Sequence, residues 1–98
     1  MEKRTPHYDL VLVKRLLNER LFRITTVAMA GASAMQMDER DIVVVVRDLS
    51  HGCFYKSMTS HADHRIWQDV YHPMTERGIV YLKLTVVDDL LILSFKER

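Results

Sequence analysis

The stretch that most restricts this chain is residues 79–96, "IVYLKLTVVDDLLILSFK". Side chains change character at every second position along 79–87 and 90–96, the period of strands whose two faces differ. Asp88-Asp89 interrupts the run and reads as the turn of an antiparallel hairpin. A loop centred between these two aspartates sets Val87 opposite Leu90, Val86 opposite Leu91, Leu84 opposite Leu93 and Leu82 opposite Phe95. The last three pairs form an apolar face that another layer must cover. The other face carries Tyr81 opposite Lys96, Lys83 opposite Ser94 and Thr85 opposite Ile92.

The covering layer is found in the first half. Thr5-Pro6 offers a helix start, and Leu10, Val13 and Leu17 follow at helical spacing with Lys14 and Arg15 facing away. Thr25 or Thr26 caps a second helix that continues to about Met37, and its small residues predict close packing against a neighbour. Residues 38–49, "DERDIVVVVRDL", contain four valines that favour a strand by propensity. Against that, Ile42, Val45, Val46 and Leu49 share a helical face, and Asp38 with Asp41 resembles a capping box. The spacing predicts a helix, with the Val43–Val46 run in the core.

Residues 53–59 and 65–71 read as two more strands, joined by the loop around Ser60-His61-Ala62-Asp63-His64. The expected fold class is therefore α+β, a single domain over residues 1–98 with N-terminal helices on one face of a mainly antiparallel sheet. At 98 residues the chain has room for one core and one site. Its apolar runs are too short to span a bilayer and no signal peptide opens it, so a cytoplasmic location without membrane contact is expected. Cys53 is the single cysteine, which excludes an internal disulfide and a thiolate metal cluster and leaves an inert core thiol. A net charge of +1 excludes a broad electrostatic grip on nucleic acid but allows a local basic site touching a few phosphates.

A loop centred on Ala62 sets Phe54 opposite Val70, Lys56 opposite Gln68 and Met58 opposite Ile66. A connection near Met74 then brings Gln68 beside Tyr81. One sheet face would present Lys56, Gln68, Tyr81, Lys83 and Lys96, and the other Tyr55, Trp67 and Tyr71, with Ser57 and Asp69 as unplaced polar exceptions. Ammonium groups, an amide and a phenol suit a phosphodiester whose own 2′-hydroxyl attacks phosphorus, because that reaction needs charge neutralisation and proton transfer rather than a cofactor. DNA lacks the internal nucleophile. Clustering of Lys56, Lys83 and Lys96 is expected to lower their proton affinities. Tyr55 or Tyr71 could stack unpaired bases if they border the open face.

"MEKRTPHY", "FYKSMTSHADHRIWQDVYHP" and "VYLKLTVVDDLLILSFKER" occur in order along nearly the whole chain. In these blocks the chain resembles the MqsR family, the toxins of MqsR–MqsA type II toxin–antitoxin systems. The resemblance implies a RelE/YoeB-like fold and an mRNA endoribonuclease with a preference around GCU. It also implies neutralisation by an MqsA-like antitoxin, and contact with DNA only through that partner. Its active-site positions match Lys56, Gln68 and Tyr81, with Lys96 in the same neighbourhood. Tyr55, Met58, Lys83 and His64 are candidates for substrate contact, and neither metal nor cofactor is expected.

Plainer roles exist for each of these residues. A strand lysine is ordinarily a solvated charge, and Lys96 could blunt a sheet edge. His61, Asp63 and His64 read first as a polar hairpin loop. A fourth zinc ligand is not evident, and a histidine in acid/base chemistry is the stronger alternative. A reading from another class is a non-catalytic partner that modulates the DNA binding of an antitoxin or repressor.

Overall fold

The alternating second half does form the sheet. A computed structural model describes residues 1–98. Its long strands are β3 (Phe54–Thr59), β4 (Trp67–Tyr71), β6 (Gly78–Val87) and β7 (Asp89–Glu97). Three short strands were not legible in the pattern: β1 (Glu2–Lys3), β2 (Phe22–Ile24) and β5 (Met74–Thr75). The order across the sheet is β1-β3-β4-β6-β7-β2, with β5 paired to the start of β6. Every pairing is antiparallel except β2 with β7. Both edge strands are short and carry charge, as edges in soluble proteins commonly do.

The helices are α1 (Leu10–Asn18), α2 (Thr26–Ala34) and α3 (Glu39–Arg47). The expected start at Thr5-Pro6 is displaced to Asp9, whose carboxylate accepts the Val11 N–H at 2.9 Å. The cause lies upstream. The Asp69 carboxylate accepts the His7 and Tyr8 N–H groups at 3.1 and 2.9 Å, pinning a segment that would otherwise be free to coil. Asp69 is thereby placed: it is fully buried and satisfied by the backbone it anchors. Ser57, the other exception, is equally buried but its hydroxyl has no partner.

Helix α2 begins at the Thr25 cap and ends at Ala34, short of Met37. Gln36 adopts a left-handed φ of 62°, and the Gln36 and Met37 N–H groups return to the Ser33 and Ala32 carbonyls in a Schellman arrangement. Close packing by small residues is borne out. A Cβ on Gly31 would lie 2.0 Å from the Phe95 carbonyl oxygen, and Ala28 and Ala32 are fully enclosed. Helix α3 has both halves of its capping box, at 3.1 and 2.9 Å. The valine run is only partly core, however. Val46 is fully buried while Val44 is 48% exposed, because successive helical residues point about 100° apart. Leu82, Leu84, Leu90, Ile92 and Phe95 meet Val13, Leu17, Ile42 and Val46 to close the core.

Both hairpins depart from the expected registers. In the last one Asp88 turns the chain alone with φ 66°, pairing Val87 with Asp89, Val86 with Leu90 and Leu84 with Ile92. A one-residue bulge at Leu93 then restores the expected pairs Lys83–Ser94, Leu82–Phe95 and Tyr81–Lys96. In the first hairpin the pairs are Lys56–Val70 and Met58–Gln68, two residues from expectation, so each side chain keeps its face. Between β4 and β6 the register pairs Val70 with Lys83 and Tyr71 with Leu82, which carries Gln68 away from Tyr81 and leaves His72 at its flank.

Candidate active site

The sheet face away from the helices is built in rows. Lys56, Val70, Lys83 and Ser94 stand across β3, β4, β6 and β7. Tyr81 and Lys96 form the row on one side, and Glu2, Met58 and Gln68 the row on the other. The expected set of Lys56, Gln68, Tyr81, Lys83 and Lys96 therefore shares one face. Lys96 is exposed and the other four are partly so, which keeps the face open to a polymer.

Three rings line one end of this face. Tyr55 and His72 stack with centroids 4.5 Å apart and planes 23° apart, and Tyr81 lies 5.8 Å beyond His72. Cations surround them: Lys56 Nζ is 5.4 Å and the Arg4 guanidinium 5.7 Å from the Tyr55 ring, and Lys96 Nζ is 5.3 Å from the Tyr81 ring. Tyr55 was expected on the opposite face. The register shift between Phe54 and Lys56 makes Tyr55 an extra residue and turns it to the open side. Tyr71, the other proposed stacking residue, is fully buried; desolvation drives its phenol's pKa upward and removes it from any surface role.

Electrostatics corrects one expectation. Lys56 is not lowered by clustering, because the Glu2 carboxylate 2.7 Å from its Nζ raises its affinity for a proton. Glu2 moves the other way for the same reason, its pKa lowered by the hydrogen bond and charge of Lys56. Lys83 is lowered, first by burial and then by Lys96. His72 is lowered by burial and by Arg98, and its Nε2 is enclosed without a hydrogen-bond partner.

Residues Glu2, Arg4 and His72 escaped the sequence reading. His72 continues the Gln68, Val70 alternation one step past the end of β4, a signal that was available. Glu2 and Arg4 depend on β1 pairing with β3, and two residues carry no periodicity. His64 joins nothing in the cluster. It is exposed in the hairpin loop, where Asp63 accepts the Arg65 Nε–H at 3.1 Å. Cys53 is partly buried in a turn and its thiol donates to the Ser50 carbonyl. The largest concavity, about 640 Å³, lies elsewhere, between α3 and residues 73–77. Asp41, Asp48 and Glu76 line it against the single cation Arg77, a balance that disfavours a polyanion.

Comparison with known proteins agrees with the three blocks quoted above. The family described as "Motility quorum-sensing regulator, toxin of MqsA" matches residues 5–97. The mRNA interferase toxin MqsR of Escherichia coli (strain K12) is 50% identical over 98 residues, covering 100% of both chains. The matched span, residues 5–97, includes Tyr55, Lys56, Gln68, His72, Tyr81, Lys83 and Lys96, and the chain belongs to the MqsR toxin family.

Proposed function

We propose that this protein is an endoribonuclease that cuts single-stranded mRNA without a metal ion, using the 2′-hydroxyl of the substrate as nucleophile. The observation that carries the reading is the shared open face of Lys56, Gln68, Tyr81 and Lys96, in a chain half identical to an mRNA interferase toxin. Lys56 and Lys96 hold the scissile phosphate and stabilise the charge that builds on its oxygens. Gln68 donates its amide N–H groups to the strand, and Tyr81 protonates the departing 5′ oxygen. Tyr55 stacks an unpaired base, Met58 packs along the ribose, and Lys83 contributes field from behind the lysine pair. His64 contributes only at the margin, through the loop that borders the sheet.

The same reading includes cleavage around GCU, a cytoplasmic site of action, and neutralisation by an MqsA-like antitoxin through which any DNA contact is made. Purified protein incubated with a GCU-bearing transcript in excess EDTA should leave 2′,3′-cyclic phosphate and 5′-hydroxyl ends. A 2′-deoxy substitution at the cleaved nucleotide should abolish the cut. Activity lost on chelation, or 5′-phosphate products, would overturn the mechanism. Growth arrest on expression, relieved by the antitoxin, separates this reading from a non-catalytic partner.

A further inference from the structure

The proposed reaction requires a group that takes the 2′ proton, and Lys56 is unsuited to it. Its Nζ is bonded to Glu2 Oε1 at 2.7 Å and held in the charged form, and an ammonium has no lone pair to receive a proton. Gln68 exchanges no proton, and phenols and ammonium groups act as donors in neutral water. Lys83, the ammonium whose proton affinity burial lowers, stands two strands from Lys56 with Val70 between them. Two groups with a free lone pair remain on the face, Glu2 and His72. The Nε2 of His72 is enclosed, with its ring between those of Tyr55 and Tyr81. The Glu2 side chain is 56% exposed at the rim of the open face.

Position favours Glu2 as well. It stands opposite Met58, which stands opposite Gln68, so carboxylate and amide occupy one row. Lys56 has Glu2 on one flank and the Tyr55 ring, with Tyr81 beyond it, on the other. In-line displacement at phosphorus requires the attacking and leaving oxygens on opposite sides. A phosphate seated on Lys56 would have a carboxylate on one side and a phenol on the other.

We infer that Glu2 is a further catalytic residue, the general base that removes the 2′-hydroxyl proton from RNA bound on Lys56. The inference rests on the endoribonuclease reading above. The 2′ O–H bond breaks and its proton passes to a Glu2 carboxylate oxygen as the 2′ oxygen bonds to phosphorus. The bond from phosphorus to the 5′ oxygen breaks, that oxygen keeps the electron pair, and Tyr81 supplies its proton. Exchange with water then returns Glu2 to carboxylate and Tyr81 to phenol. Substrate binding also prepares the base. When Lys56 turns to the phosphate, Glu2 loses the partner that suppresses its proton affinity.

Single-turnover cleavage of a short oligonucleotide with one ribonucleotide at the cut site tests this. Glu2→Gln keeps an oxygen for Lys56 but cannot accept the proton. Its rate should fall by about 10²–10⁴-fold. Affinity for the all-deoxy analogue should be unchanged or tighter, and Glu2→Asp should recover part of the rate. A 5′-thio leaving group needs no acid, so it should rescue Tyr81→Phe and leave Glu2→Gln slow. An unchanged melting temperature shows that Glu2→Gln is folded, and the partial activity of Glu2→Asp gives the same control. Glu2→Gln cutting at the wild-type rate overturns the assignment, as does a loss confined to His72→Gln. A wild-type protein that leaves the ribonucleotide intact overturns instead the reading on which this rests.

Discussion

The imidazole of His72 lies against the ring of Tyr55, centroids 4.5 Å apart, and is the middle ring of a row that continues to Tyr81. In the proposed reading, the flat rings beside Arg4, Lys56 and Lys96 take the bases of a single strand while the cations take its phosphates. Replacing Tyr55 by Ala should weaken binding of a non-cleavable 2′-deoxy oligonucleotide by about 1–3 kcal/mol, the usual loss for one stacked base. Fluorescence anisotropy measures it. Unchanged affinity would remove Tyr55 from the binding surface.

The cations set the salt dependence. A single strand that neutralises about three phosphates should lose affinity with a log–log salt slope near −2, and each cation removed should flatten that slope by about 0.7. Lys96→Ala should therefore bind more weakly at low salt and converge on the wild type at high salt. A parallel offset at all salt concentrations would mean that Lys96 acts through packing.

Acid should loosen the fold in a defined window. His7 and His72 both lie below the ordinary imidazole value of 6.5, in each case chiefly because burial disfavours the cation. The folded chain then binds fewer protons at these sites than the unfolded chain, so stability rises with pH up to 6.5 and falls on acidification below it. The depressed carboxylates Glu2, Asp38 and Asp63 act in the same direction but at lower pH, below their ordinary values of 4.5 and 3.8. Melting temperatures across this range should climb and level off, and His72→Gln should make the climb shallower.

Asp69 couples stability to the site. Asp69→Ala removes the acceptor of two partly buried N–H groups, and hydrogen bonds to carboxylates are worth about 1.5–3 kcal/mol each. Urea denaturation should show a loss of that order. Cleavage should fall further than the loss of folded protein explains, because the segment released carries Glu2 and Arg4.

Gly31→Ala tests the seat of β7. The new methyl would overlap the Phe95 carbonyl oxygen, and overpacking of a tight core position costs about 1–3 kcal/mol. The midpoint of urea unfolding should drop accordingly. The neighbouring Lys96 should shift with the strand, lowering the cutting rate of the fraction that remains folded.

Much of this was legible in the chain. The two hairpins announced themselves by alternation, and α3 was identified by its caps against the propensity of its valines. The common face of Lys56, Gln68, Tyr81, Lys83 and Lys96 survived three register errors because each error was an even number of residues or was cancelled by a bulge. Illegible features had physical causes. A bulge depends on the partner strand, so nothing local turned Tyr55 outward. The Asp69 anchor joins residues 61 and 62 positions apart, which no periodicity records. The Glu2–Lys56 ion pair likewise required strand pairing between distant segments.

The extra residue at Leu93 divides β7 into two reading frames. Ahead of it the even-numbered Leu90 and Ile92 point inward; behind it the odd-numbered Phe95 does, leaving Lys96 outside. What position 93 contributes is length rather than chemistry. Almost any side chain there preserves the frame, whereas deleting the residue would ask either the oily half of the strand or its working half to face the wrong medium.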